Sequence, residues 1–361
     1  MKLFFLTGSI NQGGAEFQLL KLAQLCVKKG HSVSILALTD YDFYRPFVEE
    51  NLLPYEALSN HDSKARRVLQ VVKKINEYNP EVVIAYLREV SLVAMMAKLL
   101  SRRKFKLVIG ERTSLIIPSY DRFYFQLCRL AGAITVNSLS KKTYIEKRFS
   151  FLEKKLFFTP NILSLEQFEW TKTSKVPKKI IRLGYVGRIS KEKNLINLIK
   201  ALGKVNERFE EWTLEMYGGV RDQAYFDEIQ ELIEELGVTD KVIYRGVTNN
   251  VHEVYQRIEA LCLLSIFEGF SNVLSEALSS GIPILASNIE ENAFLVEDKI
   301  NGFLVDRYDI EEIAQGLISL LQLDSSGIER IHQANKQKAL ELFDEDKAYE
   351  RFLSAAKLEY N

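Results

Sequence analysis

Glu268 and Glu276 lie eight positions apart in the run Phe267-Glu268-Gly269-Phe270-Ser271-Asn272-Val273-Leu274-Ser275-Glu276-Ala277. An apolar segment, residues 260–266, leads into the first glutamate, and helical spacing begins around the second. That order predicts a strand, a loop and a helix, with both carboxylates at the end of a sheet where α/β proteins bind ligands. Two carboxylates beside one ligand can bind sugar and ribose hydroxyls, and can offset positive charge developing at a reacting carbon. The amides of Phe270, Ser271, Asn272, Val273 and Leu274, at a helix N-terminus, can receive phosphate oxygens. A capped helix with two surface glutamates is the plainer alternative. The Gly269-Phe270-Ser271-Asn272 insertion argues against it, because it sets a bulky aromatic beside glycine and small polar groups.

Two other loops carry candidate chemistry. Gly187-Arg188-Ile189-Ser190-Lys191-Glu192-Lys193-Asn194 follows an apolar strand. Arg188 offers a planar fork and Lys193 a point charge, a pairing suited to a diphosphate. Two ordinary surface cations would read the same way. Gly8 to Glu16 includes Gly13-Gly14, where backbone can approach an anion at a helix start. Its spacing is not that of Gly-x-Gly-x-x-Gly, and a tight turn would need the same glycines. Asp40-Tyr41-Asp42 has the form of a metal-binding Asp-x-Asp, but Asp is also a common turn former. We therefore expect no metal site and no cofactor. His31 reads as structural, and no Ser-His-Asp arrangement, cysteine pair or Walker loop is present.

The elements that must hold these loops alternate between short apolar runs and amphipathic stretches. Strands are predicted at 2–6, 33–38, 82–86, 106–109 and 133–136, with helices at 15–29, 64–78 and 90–100. Thr159-Pro160-Asn161 is a turn signal, and a polar lysine-rich stretch containing Pro177 runs from 171 to 179. The pattern then restarts, with strands at 181–186, 212–217, 241–244, 260–266, 283–286 and 302–305. Helices are predicted at 194–209 and 225–236, near Glu253, Asn272 and Ile310, and finally over 328–360. Short buried strands alternating with helices predict two Rossmann-like α/β units with parallel sheets, joined near 160–180.

At 361 residues and 47% apolar content the chain suits two globular domains. Net charge is zero, yet residues 1–165 hold 25 Lys and Arg against 14 Asp and Glu, a net +11 that the remainder cancels. A basic half suits an anionic lipid surface or a phosphorylated substrate, and solvated faces of differing charge would also account for it. No nucleic-acid motif accompanies the cations, so nucleic acid is not an expected partner. Cys26, Cys128 and Cys262 are far apart in apolar surroundings and read as buried thiols, which fits a reducing cytosol. The apolar start, residues 1–10, is too short for a signal peptide, and no run approaches a membrane span. Location is expected to be cytoplasmic, with any membrane contact peripheral.

Taken together, these segments resemble the retaining glycosyltransferases of family 4. The resemblance covers the whole length: Gly13-Gly14-Ala15-Glu16, Gly30-His31, Val136-Asn137-Ser138, Pro160-Asn161, Tyr185-Val186-Gly187-Arg188 through Lys193-Asn194, Glu268-Gly269-Phe270-Ser271 through Glu276-Ala277, Gly281-Ile282-Pro283-Ile284 and Asn301-Gly302-Phe303-Leu304-Val305. Val136-Asn137-Ser138 resembles the family's segment after the fourth or fifth strand. The resemblance implies the GT-B architecture: two Rossmann-like domains facing a cleft, at 1–165 for the acceptor and 180–344 for the donor. A last helix, about 345–361, would cross back to the first domain.

The resemblance also implies roles. Arg188 and Lys193 would hold the donor diphosphate, Glu268 the transferred sugar and Glu276 the ribose. Residues 269–274 would complete the pocket, Gly14 would approach the phosphates, and Gly187, Gly218 and Arg245 would line the nucleotide. Such enzymes need no divalent metal and transfer with retention. Many relatives carry a histidine after the strand ending near Gly110, where this chain has Glu111-Arg112-Thr113-Ser114. That resembles a bacterial surface-polysaccharide subgroup and implies Glu111 or Arg112 at the acceptor. The expected reaction moves a hexose or N-acetylhexosamine from a UDP-sugar to a glycan or lipid-linked glycan, as in lipopolysaccharide and other surface polysaccharides. A sugar-nucleotide epimerase of the same architecture, or a catalytically silent sugar-nucleotide-binding subunit, are the rivals.

Overall fold

The computed structural model describes residues 1–113, 116–163, 165, 177–248 and 250–357. Most of the polar stretch at 171–179, Ser114, and the end of the predicted 328–360 helix lie outside the described residues. The chain divides into two compact units, Met1–Ile162 with Glu345–Asn361, and Leu163–Asp344. The boundary sits between neighbours. Ile162 exchanges two hydrogen bonds with the Gln18 side chain, whereas Leu163 is buried in the second unit's core. The edges expected from sequence are 165 and 180.

The first unit is a seven-stranded parallel sheet. Its strands are β1 (Lys2–Thr7), β2 (Ser32–Ala37), β3 (Tyr55–Ala57), β4 (Val82–Tyr86), β5 (Lys106–Glu111), β6 (Ala133–Val136) and β7 (Leu156–Phe158), in the order β3-β2-β1-β4-β5-β6-β7. Its inner strands are largely apolar, and β4 is buried at every position, because both faces of the sheet are covered. Phe4 and Leu6 of β1 enter one core cluster and Leu3 and Phe5 the other. β3 and β7 were not anticipated. Each is a three-residue outer strand, too short for a periodic signal. Because of β3, Val136-Asn137-Ser138 follows the sixth strand, not the fourth or fifth. Ser138 caps the next helix by accepting from the Lys141 amide.

The helical pattern over 328–360 forms two elements, α13 (Ser325–Phe343) and α14 (Glu345–Ala356), and the second starts where the last helix is expected, at about 345. Asp344 between them leaves helical geometry, at φ −51° and ψ 131°. Phe343 remains in the second unit's core, and Phe352, Ala355 and Ala356 join the first unit's. There α14 lies against α1 (Gly14–Lys28). His31 joins the amino terminus, 2.9 Å from its Nδ1, to Tyr349 of α14, 2.5 Å from Nε2, which is the structural role its sequence suggested. Burial is the first cause holding its pKa below the usual value.

The second unit is a six-stranded parallel sheet of β8 (Arg182–Val186), β9 (Thr213–Tyr217), β10 (Val242–Gly246), β11 (Ala260–Leu263), β12 (Ile284–Ser287) and β13 (Phe303–Val305). Its order is β10-β9-β8-β11-β12-β13. Strand order reverses between β8 and β11, the switch point where such sheets leave a crevice beyond the strand ends. Both the Gly187 loop and the Glu268 loop leave the sheet there. The strand read over 260–266 ends at Leu263. Leu264 and Ser265 stay buried by loop packing, so apolar character outlasts the pairing. All three cysteines are buried and free.

Candidate active site

Adjacent strands bring the two loops together. β11 pairs with β8 at Ala260↔Leu183 and Leu261↔Gly184. Beyond the strand ends, the Ile266 amide donates to the Glu192 carbonyl at 2.8 Å, tying loop to loop. Across this join Lys193 Nζ lies 2.6 Å from Glu268 Oε1, with both side chains about seven-eighths buried. The two side chains that the resemblance assigns to phosphate and sugar are thus one ion pair. An ammonium has three donors, so Lys193 can hold Glu268 and still donate to an anion. The spacing suits a ligand whose phosphate adjoins a polyhydroxylated ring.

Arg188 behaves differently. Its side chain is 58% exposed, and its nearest acidic partner, Glu192, is 3.9 Å away. What is fixed is its backbone: the Tyr185 hydroxyl donates to the Arg188 carbonyl at 2.6 Å. Burial, with the Glu268 charge adding, pushes the Tyr185 phenol far up, so it keeps the proton it donates. Beneath the loop two glycines meet. A Cβ on Gly218 would lie 1.8 Å from the Gly187 carbonyl oxygen, and Gly218 has φ +146°. The Gly187 amide donates to the Tyr217 carbonyl and the Ile189 amide to that of Gly219, which holds the loop against the end of β9.

The helix α10 (Asn272–Ser280) starts at an N-cap, Ser271, whose hydroxyl accepts from the Leu274 amide at 3.2 Å. That amide therefore has a partner already, unlike the open phosphate contact the sequence suggested for it. Phe270 packs edge-on against Phe343, and Val273 leans on the core. Glu276, one turn into α10, receives a 3.0 Å hydrogen bond from the Tyr255 hydroxyl, which lies equally near the Val273 carbonyl. Burial first, and then the Glu276 charge, keep Tyr255 protonated. In the sequence Tyr185 appears only as part of a motif, with no role of its own, and Tyr255 not at all, because a tyrosine on a core position looks like packing.

Arg245 has an acidic partner of its own. It lies on β10, two strands from β8, and pairs with Glu215 at 2.7 Å. Arg257 and Tyr217 complete that cluster. Burial works against the Glu215 charge, yet these three donors hold its pKa below the ordinary value.

In the first unit, Gly14 opens α1 after a Gly13 N-cap with no side-chain cap. Glu111, the last residue of β5, is buried against Arg88 at 3.0 Å, and Arg88 also holds Asp121 at 2.6 Å. Burial raises the Glu111 pKa, with Arg88 opposing it. The Arg112 guanidinium stacks on Tyr86, 4.2 Å from the ring centre, and donates to Thr135 and Thr159. Both residues thus brace the ends of β5 and β6 in place of projecting from them. Asp40 and Asp42 both pair with Arg45. Among the described residues no helix is long and apolar enough to cross a membrane.

Comparison with known proteins bears on this arrangement. Residues 166–338 match the family model described as Glycosyl transferases group 1. The chain is 28% identical over 234 residues to the poly(glycerol-phosphate) alpha-glucosyltransferase of Bacillus subtilis, covering 64% of this chain but only 33% of that protein. It is 26% identical over 351 residues to the GalNAc-alpha-(1->4)-GalNAc-alpha-(1->3)-diNAcBac-PP-undecaprenol alpha-1,4-N-acetyl-D-galactosaminyltransferase of Campylobacter jejuni, covering 93% of each. In fold it is similar to Anabaena HepE, solved in complex with UDP, with a TM-score of 0.84 at 21% identity over 98% of this chain and 99% of that one. Two parallel-sheet α/β units of GT-B type, with the group 1 match lying over the unit that holds Lys193 and Glu268, make this chain a glycosyltransferase.

Proposed function

We propose that the protein is a retaining, family 4 type transferase that moves a hexose or N-acetylhexosamine from a UDP-sugar to a glycan or lipid-linked acceptor. The observation that carries this reading is the Lys193–Glu268 pair at the switch point, with exposed Arg188 beside it. UDP in the similar Anabaena structure, and the undecaprenol-linked glycan in the Campylobacter relative's name, support the donor and acceptor classes.

In this reading Arg188 and Lys193 hold the diphosphate and stabilise it as it leaves, in place of a metal ion. Glu268 accepts from the sugar's hydroxyls and Glu276 from the ribose. The acceptor attacks the face the diphosphate departs from, and the departing phosphate takes its proton. The glycosidic bond forms as the sugar–phosphate bond breaks, so the anomeric configuration is kept.

The test is a reaction with UDP-α-sugars and a lipid-linked acceptor in EDTA, the product being read by NMR. An α-linked product is expected. Arg188→Ala should lower turnover about a hundredfold, the loss of one charge-stabilising donor. It should leave the melting temperature unmoved, because the side chain is exposed. A β-linked product overturns retention, and dependence on a divalent ion overturns the metal-free role of the cations.

On the acceptor side we assign the strand ends braced by Glu111 and Arg112. Glu111→Ala or Arg112→Ala should raise the acceptor KM several-fold with the donor KM unchanged. Unchanged acceptor KM in both variants removes this assignment.

A further inference from the structure

Glu268 Oε1 accepts a second hydrogen bond, from Ser265 Oγ at 2.6 Å. Behind it runs a buried chain. Ser287 Oγ donates to the Ser265 carbonyl at 2.6 Å, and Asn292 Nδ2 donates to both the carbonyl and the hydroxyl of Ser287, at 3.0 and 3.1 Å. Ser265, Ser287 and Asn292 have no exposed surface. None of them belongs to the set the sequence pointed to.

Every proton in this chain has one allowed direction. A carboxylate only accepts when charged, so Ser265 must donate to Glu268. An Asn carbonyl turned toward Ser287 would face the Ser287 carbonyl, so the amide nitrogen must occupy that place. Ser287, receiving from Asn292, is left with its own proton for the Ser265 carbonyl. Donation therefore runs from Asn292, at the first turn of α11 (Glu290–Leu295), through the Ser287 hydroxyl to the Ser265 carbonyl, and this hold on the Ser265 backbone places the separate Ser265 hydroxyl for the carboxylate.

We infer that Ser265, Ser287 and Asn292 are positioning residues that hold Glu268 through Oε1 and leave Oε2 to receive the transferred sugar. Two donors converge on Oε1, and among the described residues Oε2 has no partner. A carboxylate held on one oxygen by an ammonium and a hydroxyl cannot rotate without breaking both bonds. The free oxygen is then fixed where a sugar hydroxyl meets it, and rotamer entropy need not be lost at each turnover. The inference rests on the proposed role of Glu268 at the sugar.

The test compares sugar-dependent turnover with binding of UDP alone, which lacks the sugar. Ser265→Ala should lower kcat for the UDP-sugar by about ten- to a hundredfold, the range for one hydrogen bond to a charged group. Ser287→Ala and Asn292→Ala should lower it by roughly tenfold, as losses of neutral bonds further from the carboxylate. UDP affinity by calorimetry should stay within twofold in all three. Because Ser287 acts through Ser265, the Ser265→Ala/Ser287→Ala double variant should be no slower than Ser265→Ala alone. Unchanged kcat in Ser265→Ala overturns the inference, as does UDP binding that weakens in step with turnover or factors that multiply in the double variant. If Ser287→Ala or Asn292→Ala fails to fold, Ser265→Ala, which removes one oxygen atom, still decides. Wild-type protein that turns over no UDP-sugar overturns the reading beneath the inference, which is a distinguishable outcome.

Discussion

Glu268→Gln is expected to lower turnover of the nucleotide sugar about a thousandfold, roughly 4 kcal/mol, the cost of removing one charge from a buried pair. The side chain keeps its volume, so packing is conserved. What disappears is the charge on which Lys193 and Ser265 both converge. Lys193 is then a largely buried ammonium without its counter-ion, and its hold on a phosphate changes as well. Both kcat and donor KM should therefore move. The measurement is steady-state release of nucleoside diphosphate, with the melting temperature followed in parallel. A loss below tenfold would mean that the pair is an ordinary salt bridge near the site.

The second large effect is on stability. Gly218→Ala should destabilise the second unit by about 3 kcal/mol or more, combining a strained backbone with an overlap that side-chain motion cannot relieve. The offending atom is the Gly187 carbonyl oxygen, at 1.8 Å from the new Cβ, so either the end of β9 or the Gly187 loop must shift. Arg188 and Lys193 ride on that loop, and activity should fall even at temperatures where the unit stays folded. Chemical denaturation, with UDP-sugar turnover on the same samples, checks both parts. A variant of wild-type stability would show that the two glycines do not need their close contact.

Much of this was legible in the chain, and the misses have identifiable causes. Val82–Tyr86 and Ala133–Val136 were read with their observed bounds, because a strand buried on both faces is a continuous apolar run between turn signals. Tyr55–Ala57 was missed because three residues at a sheet edge carry no period. The 260–266 strand ran long because Leu264 and Ser265 are buried by the loop that packs there, and sequence records burial without recording pairing. Helical spacing runs on across the Asp344 break, and only the last helix implied by the resemblance, from about 345, marks it. Candidate residues were legible as types in loops. Their pairing was not: Lys193 and Glu268 are 75 positions apart, and only the order β8-β11 makes them neighbours. Ser265, Ser287 and Asn292 were invisible for a related reason. Small polar residues beside strand ends look like turn formers until the structure shows which of them donate toward a carboxylate.

On the proposed function, the loops that carry Arg188, Lys193 and Glu268 receive a nucleotide sugar. The most direct measurement is a panel of UDP- and GDP-sugars, with a lipid-linked acceptor present, in which release of nucleoside diphosphate is followed for the wild-type protein and for Glu268→Gln. The expected result is UDP released from at least one UDP-sugar by the wild-type protein, falling about a thousandfold in the variant. Release from no donor, or equal release by both proteins, would contradict it.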